Sequence, residues 1–551
     1  MTQGQAARLG GDFSFILKLV GAAALVALAD LLFYLRPAGS TLGLFALIML
    51  GLTLFIRPDV LRSWPPRCAV AAAALFALAL AVDPTPLAAA LYWVALTLAV
   101  LMPRTARFDD GWRWAQRLGL HFLLIPFGPF RDRMIARRAR RRRGRPLGIA
   151  RRLPVLIVPV AGSIVFLTLF AEANPVIYDA LASLNFAPDF DFETIGRIFF
   201  WGAVFVLVWS VLRPGRARLA PAGPGIDPDF ALPGVTIASI TLSLAAFNLI
   251  FAGQNGLDVA FLWSGAPLPE GMTLAEYAHR GAYPLIATAL LAGLFVLVTL
   301  RPGSATAGSR AIRLLVTLWI AQNLMLVAST MLRTVNYIEA YSLTRLRIAA
   351  LIWMGLVAVG LALICYRLLR EKSGAWLINA NMLAALVVLA ASSTVDLGRM
   401  AAAWNVRHAR EAGGRGAALD LCYLNNLGPS ALLPLIELEG GRIPAELRDR
   451  VAWLRTRTID RLARDQADWH GWTWRGARRL DAANARVAAL RLPRHRGEGR
   501  QCDGRPFPPP PPPPQVVAPP AAAPQGDLVP EITVPENEAE AAKPLTAPAG
   551  R

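Results

Sequence analysis

Residues 235–263 read VTIASITLSLAAFNLIFAGQNGLDVAFLW. The run is 29 residues long and its one ionisable side chain is Asp258. As a helix it would extend about 43 Å, against roughly 30 Å for the hydrocarbon core of a bilayer. A helix of that length and composition belongs in a membrane. Gly253-Gln254-Asn255-Gly256-Leu257-Asp258 predicts a break in it. At membrane depth a break is tolerated where protein or water meets the freed backbone. In the alternative reading the helix ends at Asn255 and residues 257–263 lie in the outer interface, anchored by Trp263, or tilt absorbs the extra length. Asn248 lies inside the span, and polar or ionisable groups there are candidate functional residues.

Working outward, ten more apolar blocks of this kind appear, at 13–35, 41–56, 68–82, 87–102, 153–171, 194–212, 282–300, 313–332, 348–366 and 375–394. With 235–254 they predict eleven spans. The composition agrees: of 551 residues 55% are hydrophobic and 17% charged, with mean hydropathy +0.44. Soluble domains carry about 25% charge, so a soluble enzyme with one ordinary core is excluded. The first block carries Asp30 and runs too long for a cleaved signal sequence.

The net charge of +20 invites a nucleic-acid reading, which the positions of the basic residues argue against. Lys and Arg in the even-numbered loops and in 103–152 total 27, against five (Arg36, Arg280, Arg333, Arg345, Arg347) in the odd-numbered loops. This is the positive-inside pattern. It predicts a multi-pass membrane protein with a cytoplasmic N-terminus and everything after residue 395 on the outer side, binding no nucleic acid. The expected organisation is spans one to four in 1–102, an Arg-rich cytoplasmic loop in 103–152, spans five to eleven in 153–394, a small extracytoplasmic helical domain in 395–492 and a disordered Pro-rich tail in 493–551. In the loop, Asp109-Asp110 starts an interfacial helix with Trp112, Trp114, Leu118, Phe122 and Ile125 toward lipid. The 131–152 Arg cluster is expected to anchor topology and touch anionic lipid headgroups. Pro508 to Pro514 are consecutive prolines that cannot join a core.

Chemistry is sparser. Nucleotide-binding, zinc-protease and serine-hydrolase strings are absent, and no catalytic residue, cofactor or metal is expected. Asp189-Phe190-Asp191 reads as an acidic outer loop. Cys68, Cys365, Cys422 and Cys502 show no CxxC spacing. Unpaired thiols are expected, with Cys422 and Cys502 able to pair if both face an oxidising side. Around His470, the Trp469, Trp472 and Trp474 indoles suggest either a packed corner or membrane belt, or an aromatic platform for glycan or peptide. The polar residues of the odd side fall in two stretches. Asn248, Asn255, Asp258, Glu276, Tyr277 and Arg280 form one; Glu339, Tyr341, Arg345 and Arg347 form the other. Together they are the candidate ligand or partner site. Glu270, Glu276 and Glu339 are the expected partners of the outer arginines, and an ion-pair network sealing the bundle is the bland alternative.

These stretches resemble the bacterial domain-of-unknown-function family 4173. The resemblance rests on Phe247-Asn248-Leu249-Ile250-Phe251, Gln254-Asn255, Asp258, Ala275-Glu276-Tyr277-Ala278, Arg280-Gly281 and the run Tyr337 to Arg347. It continues in Trp404-Asn405-Val406, Leu419-Asp420-Leu421, Tyr423-Leu424, Asp468-Trp469 and Gly471-Trp472. Ser342 stands where the family pattern has Gly, and Trp404 where it is nearer Tyr. The resemblance covers about 235–480 and implies a multi-pass protein of the bacterial inner membrane, whose outer side is the periplasm, with no activity attached. The expected fold is all-α, and the expected function is non-enzymatic binding of a small ligand or an envelope protein at the outer face of the lipid bilayer. Alternatives are a transporter with a broken helix seven and a membrane-embedded enzyme acting on a lipid-linked substrate, with Asp258 or Glu276 as base.

Overall fold

The computed structural model describes residues 3–105, 110–129, 192–215, 236–264, 309–496 and 499–507, with single positions between 131 and 177 and between 288 and 295. Helices dominate and the described residues form no strand. The apolar helices are α1 (Gln3–Phe33), α2 (Thr41–Ile56), α3 (Trp64–Val82), α4 (Pro86–Leu101), α6 (Phe192–Leu212), α7 (Ile237–Asp258), α8 (Arg310–Tyr341), α9 (Arg345–Leu369) and α10 (Gly374–Thr394). Eight of them are long and apolar enough to cross a bilayer, and α2 is shorter. The chain is an all-α polytopic membrane protein. The expected spans 153–171 and 282–300, the 131–152 Arg cluster, the acidic outer loop and residues 508–551 lie mostly or wholly outside the described residues.

Two apolar packets form the membrane part. The first joins α1 to α4 with α6, around Leu25, Met49, Leu80, Leu96 and Leu212. Its alanines let backbones approach. At Gly43 a Cβ would stand 2.2 Å from the Ala81 nitrogen, so only glycine fits that α2–α3 crossing. Tyr92 donates to the Ala46 carbonyl at 2.7 Å across the same packet. The second packet joins α7, α8 and α9 around Leu244, Ile312, Val316 and Trp319. Its outer surface is lipid-like: Leu242, Leu249 and Ile250 of α7 are exposed, as are Leu383 and Val387 of α10.

Beyond α10 the sequence turns polar and the helices shorten: α11 (Leu397–His408), α12 (Leu421–Leu427), α13 (Leu432–Glu439), α14 (Ala445–Ala467) and α15 (Trp474–Ala489). Their core of Leu421, Leu424, Leu435, Val451 and Leu454 is continuous with Ile338, Leu343 and Ile348 at the α8–α9 turn. Order continues past residue 492. Residues 493–496 and 499–505 form a strap over α14: Arg455 donates to the Pro493 carbonyl at 2.6 Å, and Arg450 to Asp503 at 2.8 Å.

Three expectations change. The helix does not break at Gly253–Asp258. It runs on as α7 and passes into a π turn at Val259–Trp263. Gly253 and Gly256 face open space, so nothing there forces a kink. The sequence feature behind the transporter alternative is therefore missing. Cys422 and Cys502 are joined in a disulfide, Cα–Cα 4.8 Å, because the strap runs back over α12, while Cys68 and Cys365 are free. The interfacial helix α5 (Gly111–Leu124) starts on its Asp110 cap, but Trp114 and Ile125 are buried rather than turned to lipid. The α5 backbone is tied to α10 through Gly111 and Asn379 at 2.7 Å, which turns that face inward.

Candidate functional site

The α7–α8 seam carries the first half of the expected site. Thr236 and Ser239 form a capping box that starts α7, and Ser309 caps α8. The two helices run parallel, as their cross-links show. Asn248 donates to the Leu315 carbonyl at 3.0 Å and accepts from Gln322 at 2.9 Å. Asn255 donates to the Gln322 carbonyl at 3.1 Å. Asp258, 0% exposed, pairs with Arg333, 4% exposed, and accepts from Gln254 at 3.1 Å. The π turn then aims Trp263, whose indole donates to Ser329 at 3.0 Å. Such turns concentrate at functional positions.

The seam is incompletely satisfied. Asn255 Oδ1, Gln322 Oε1, Asn323 Oδ1 and Trp319 Nε1 are buried without a hydrogen-bond partner among the described residues. Asn323 is 0% exposed, and Trp319 sits among Phe247, Phe251 and Phe295 at ring distances of 5.3, 5.7 and 5.6 Å. An unmade hydrogen bond on a buried group costs about 1–3 kcal/mol. Three such oxygens beside an ion pair are hard to explain as packing.

The second half lies at the α8–α9 corner, and its geometry is that of a clamp. Ser342 has φ +70° and ψ 164°, a region that suits glycine. Asn405 of α11 holds the next residue from both sides, accepting from the Leu343 amide at 2.6 Å and donating to its carbonyl at 3.0 Å. Thr344 caps α9. Arg347 folds back to the Tyr341 carbonyl at 2.6 Å and to the Ser342 carbonyl, and lies 4.5 Å over the Tyr337 ring. Tyr423 accepts from the Arg345 amide at 2.9 Å, and the Arg345 guanidinium fills the place a Cβ on Gly398 would need.

The structure thus joins Asn248, Asn255 and Asp258 in one seam and places Tyr341, Arg345 and Arg347 in a separate corner. Glu339 is exposed. Glu276, Tyr277 and Arg280, with Glu270, lie outside the described residues. Among the described residues Arg333 pairs with Asp258, one π turn before the end of the same apolar run and not among the partners expected from the sequence. Arg347 is met by carbonyls and a ring, because the chain reverses tightly at Ser342.

Sequence reasoning missed a third place, where the 468–472 loop meets the α1–α2 turn. The Ser40 amide donates to the Trp472 carbonyl at 2.8 Å, and a Cβ on Gly39 would stand 2.4 Å from the His470 carbonyl oxygen. Arg36 lies 3.1 Å from His470 Nε2, and His470 Nδ1 lies 2.9 Å from Asp468. Since a guanidinium only donates, Nε2 accepts and Nδ1–H donates to Asp468. The His470 amide and ring hold the Asp468 carboxyl below the usual carboxylate range. The loop docks by backbone and histidine, while Trp469, Trp472 and Trp474 stay exposed. Beside it are a charged cavity of about 500 Å³, lined by Asp30, Arg36, Glu193 and Arg197, and an apolar one of about 300 Å³ between Phe33, Phe45 and Trp93. No group of three or more metal-ligating side chains occurs among the described residues.

No curated protein and no solved structure matches the chain. A family model does match, that of Domain of unknown function (DUF4153), over residues 23–438. The match supports a domain-of-unknown-function family and leaves the resemblance to family 4173 unconfirmed. It takes in the described apolar helices from residue 23 in α1 onward, the seam, the corner and the stretch from α11 to residue 438 in α13, about three quarters of the chain, so the chain belongs to the DUF4153 family.

Proposed function

We propose that this protein is a non-enzymatic binding protein of the bacterial inner membrane, receiving a small ligand or an envelope partner at the α7–α8 seam and the periplasmic face beyond it. The N-terminus is cytoplasmic and the α11–α15 helices are periplasmic. The basic-residue asymmetry supports this orientation, and so does the Cys422–Cys502 disulfide, since such bonds persist in oxidising compartments. Eleven spans fit the described ends. Helix α4 ends where Arg57 donates to the Val100 carbonyl, and α6 begins at the opposite end, where Tyr34 meets the Glu193 carbonyl. Parallel α7 and α8 likewise ask for one crossing between them.

The observation that carries the binding reading is the unsatisfied seam: Asn255 Oδ1, Gln322 Oε1 and Asn323 Oδ1 buried beside the Asp258–Arg333 pair. Asn255→Leu separates function from structure. It removes the unpaired oxygen together with the Nδ2 bond to the Gln322 carbonyl and strands no charge, so thermal stability in detergent should change by no more than about 1 kcal/mol. Complementation of a deletion strain should nevertheless be lost. Full complementation by a stable Asn255→Leu protein, and by Gln322→Leu, would sink the reading.

A further inference from the structure

A basic groove lies in the α14 region, away from the seam. One face of α14 presents Trp453, Thr456, Arg457, Asp460 and Arg464, and Arg494, His495, Arg496, Gly499 and Arg500 form the facing wall of a cavity of about 590 Å³. From Trp453 to Arg464 the stripe runs about 16 Å at 1.5 Å per residue. Among the described residues, five arginines (Arg457, Arg464, Arg494, Arg496, Arg500) line it against one carboxylate, Asp460.

The pairing within the groove leaves a surplus of positive charge. Arg494 is matched by Asp460 at 2.9 Å, and Arg500 by Asp449 at 2.5 Å. Arg457 lies on the Trp453 ring at 5.1 Å, which orients the guanidinium without neutralising it. Arg464 and Arg496 are exposed, and no carboxylate among the described residues pairs with either. Guanidinium forks in this number match ligands that offer several oxyanions, phosphate above all.

The groove is also held in shape. His495 N–H donates to Thr456 at 3.2 Å, Arg455 reaches the Pro493 carbonyl, and Arg500 donates to the Gly504 carbonyl at 3.1 Å. The Cys422–Cys502 disulfide ties the far end of the strap to α12. The arginine wall is therefore carried by a segment whose position depends on a covalent cross-link, and little of the ordering cost is left for the ligand to meet.

We propose that the groove between α14 and the 494–500 strap binds an anion carrying two or more phosphate groups, and that the Cys422–Cys502 disulfide keeps it in the binding shape. This is independent of the seam reading and can fail or hold without it. The phosphates belong either to a soluble ligand or to lipid headgroups of the surrounding bilayer.

The intact protein in phosphatidylcholine nanodiscs is titrated with inorganic tripolyphosphate. The expected result is saturable, salt-sensitive binding. Arg457→Ala/Arg464→Ala/Arg496→Ala should weaken it about tenfold or more without lowering the ligand-free melting temperature, since none of the three pairs with a described carboxylate. Cys422→Ser/Cys502→Ser should weaken it as well. Equal binding in phosphatidylglycerol nanodiscs assigns the soluble source, and suppressed binding there assigns the headgroups. Either supports the site. Absence of tripolyphosphate binding in both nanodiscs would overturn the proposal, as would binding unchanged by the triple substitution. Tighter binding of polyglutamate would overturn it in favour of an acidic peptide.

Discussion

Among the described residues two arginine–carboxylate pairs are buried on both sides, and they are built differently. In the α13–α14 helices, Arg455 meets Glu439 with Nε at 2.6 Å and Nη2 at 3.1 Å, and a further bond goes to the Pro493 carbonyl. Both side chains are 2–3% exposed, and neither appears among the buried groups lacking a hydrogen bond. In the seam, the Asp258–Arg333 pair is as deeply buried, yet Asn255, Gln322, Asn323 and Trp319 nearby retain polar atoms without partners. A fully connected polar network fixes a structure, whereas a half-connected one is a liability unless something else completes it. The first pair reads as architecture and the second as a place prepared for an occupant.

The largest expected effect tests the architectural side. Glu439→Ala strands Arg455 in the core and should lower the stability of the protein in detergent by about 3–5 kcal/mol. Glu439→Leu with Arg455→Leu should recover most of that, because an apolar pair of similar volume removes both charges. A single Glu439→Ala within about 0.5 kcal/mol of the native protein would erase the distinction between the two regions.

A smaller effect sits at the corner between them. Ser342 holds a backbone conformation that costs a non-glycine residue about 1–3 kcal/mol. Glycine also gains freedom in the unfolded chain, which offsets roughly 0.4–1 kcal/mol. Ser342→Gly should therefore stabilise by about 1 kcal/mol, read as a rise in melting temperature. A fall would mean that the serine side chain supplies something the geometry does not show.

The smallest effect concerns pH at the strap. Arg500, and then His495, hold the Asp449 carboxyl below its usual value. A depressed folded-state value contributes stability above the unfolded value, near pH 3.9, and loses it as pH falls through the folded one. Asp449→Asn should flatten the acid limb of the melting curve below about pH 4, where the native protein loses strap contacts. An unchanged acid limb would show that Arg500 and His495 do not depend on Asp449.

How much of this was legible in the sequence differs by residue. Apolar blocks located the described apolar helices: 41–56 was expected and α2 is Thr41–Ile56. Ser342 was visible as a departure from a glycine pattern, and the structure supplies its reason in the positive φ. Asn248, Asn255 and Asp258 were singled out as polar groups at membrane depth. The Asp258–Arg333 partnership was not legible, because several glutamates at similar sequence distance were equal candidates. Trp114 was misplaced because an amphipathic pattern gives a face without saying what covers it. The disulfide joins residues 80 apart, a pairing that spacing alone does not reveal.

The contact between the α1–α2 turn and the 468–472 loop has a consequence for the order of assembly. Ser40 is bonded to Trp472, so the α1–α2 turn is closed by a segment synthesised after all the described apolar helices. Domains fold from the N-terminus as the chain emerges. During synthesis of everything between, that end of the α1–α4 packet waits with Gly39 and Arg36 uncovered. The Cys422–Cys502 bond cannot close until later still, after residue 502 has reached an oxidising compartment. Closure of that turn therefore waits for the 468–472 loop, and a chain stopped before residue 468 leaves the α1–α2 turn uncovered.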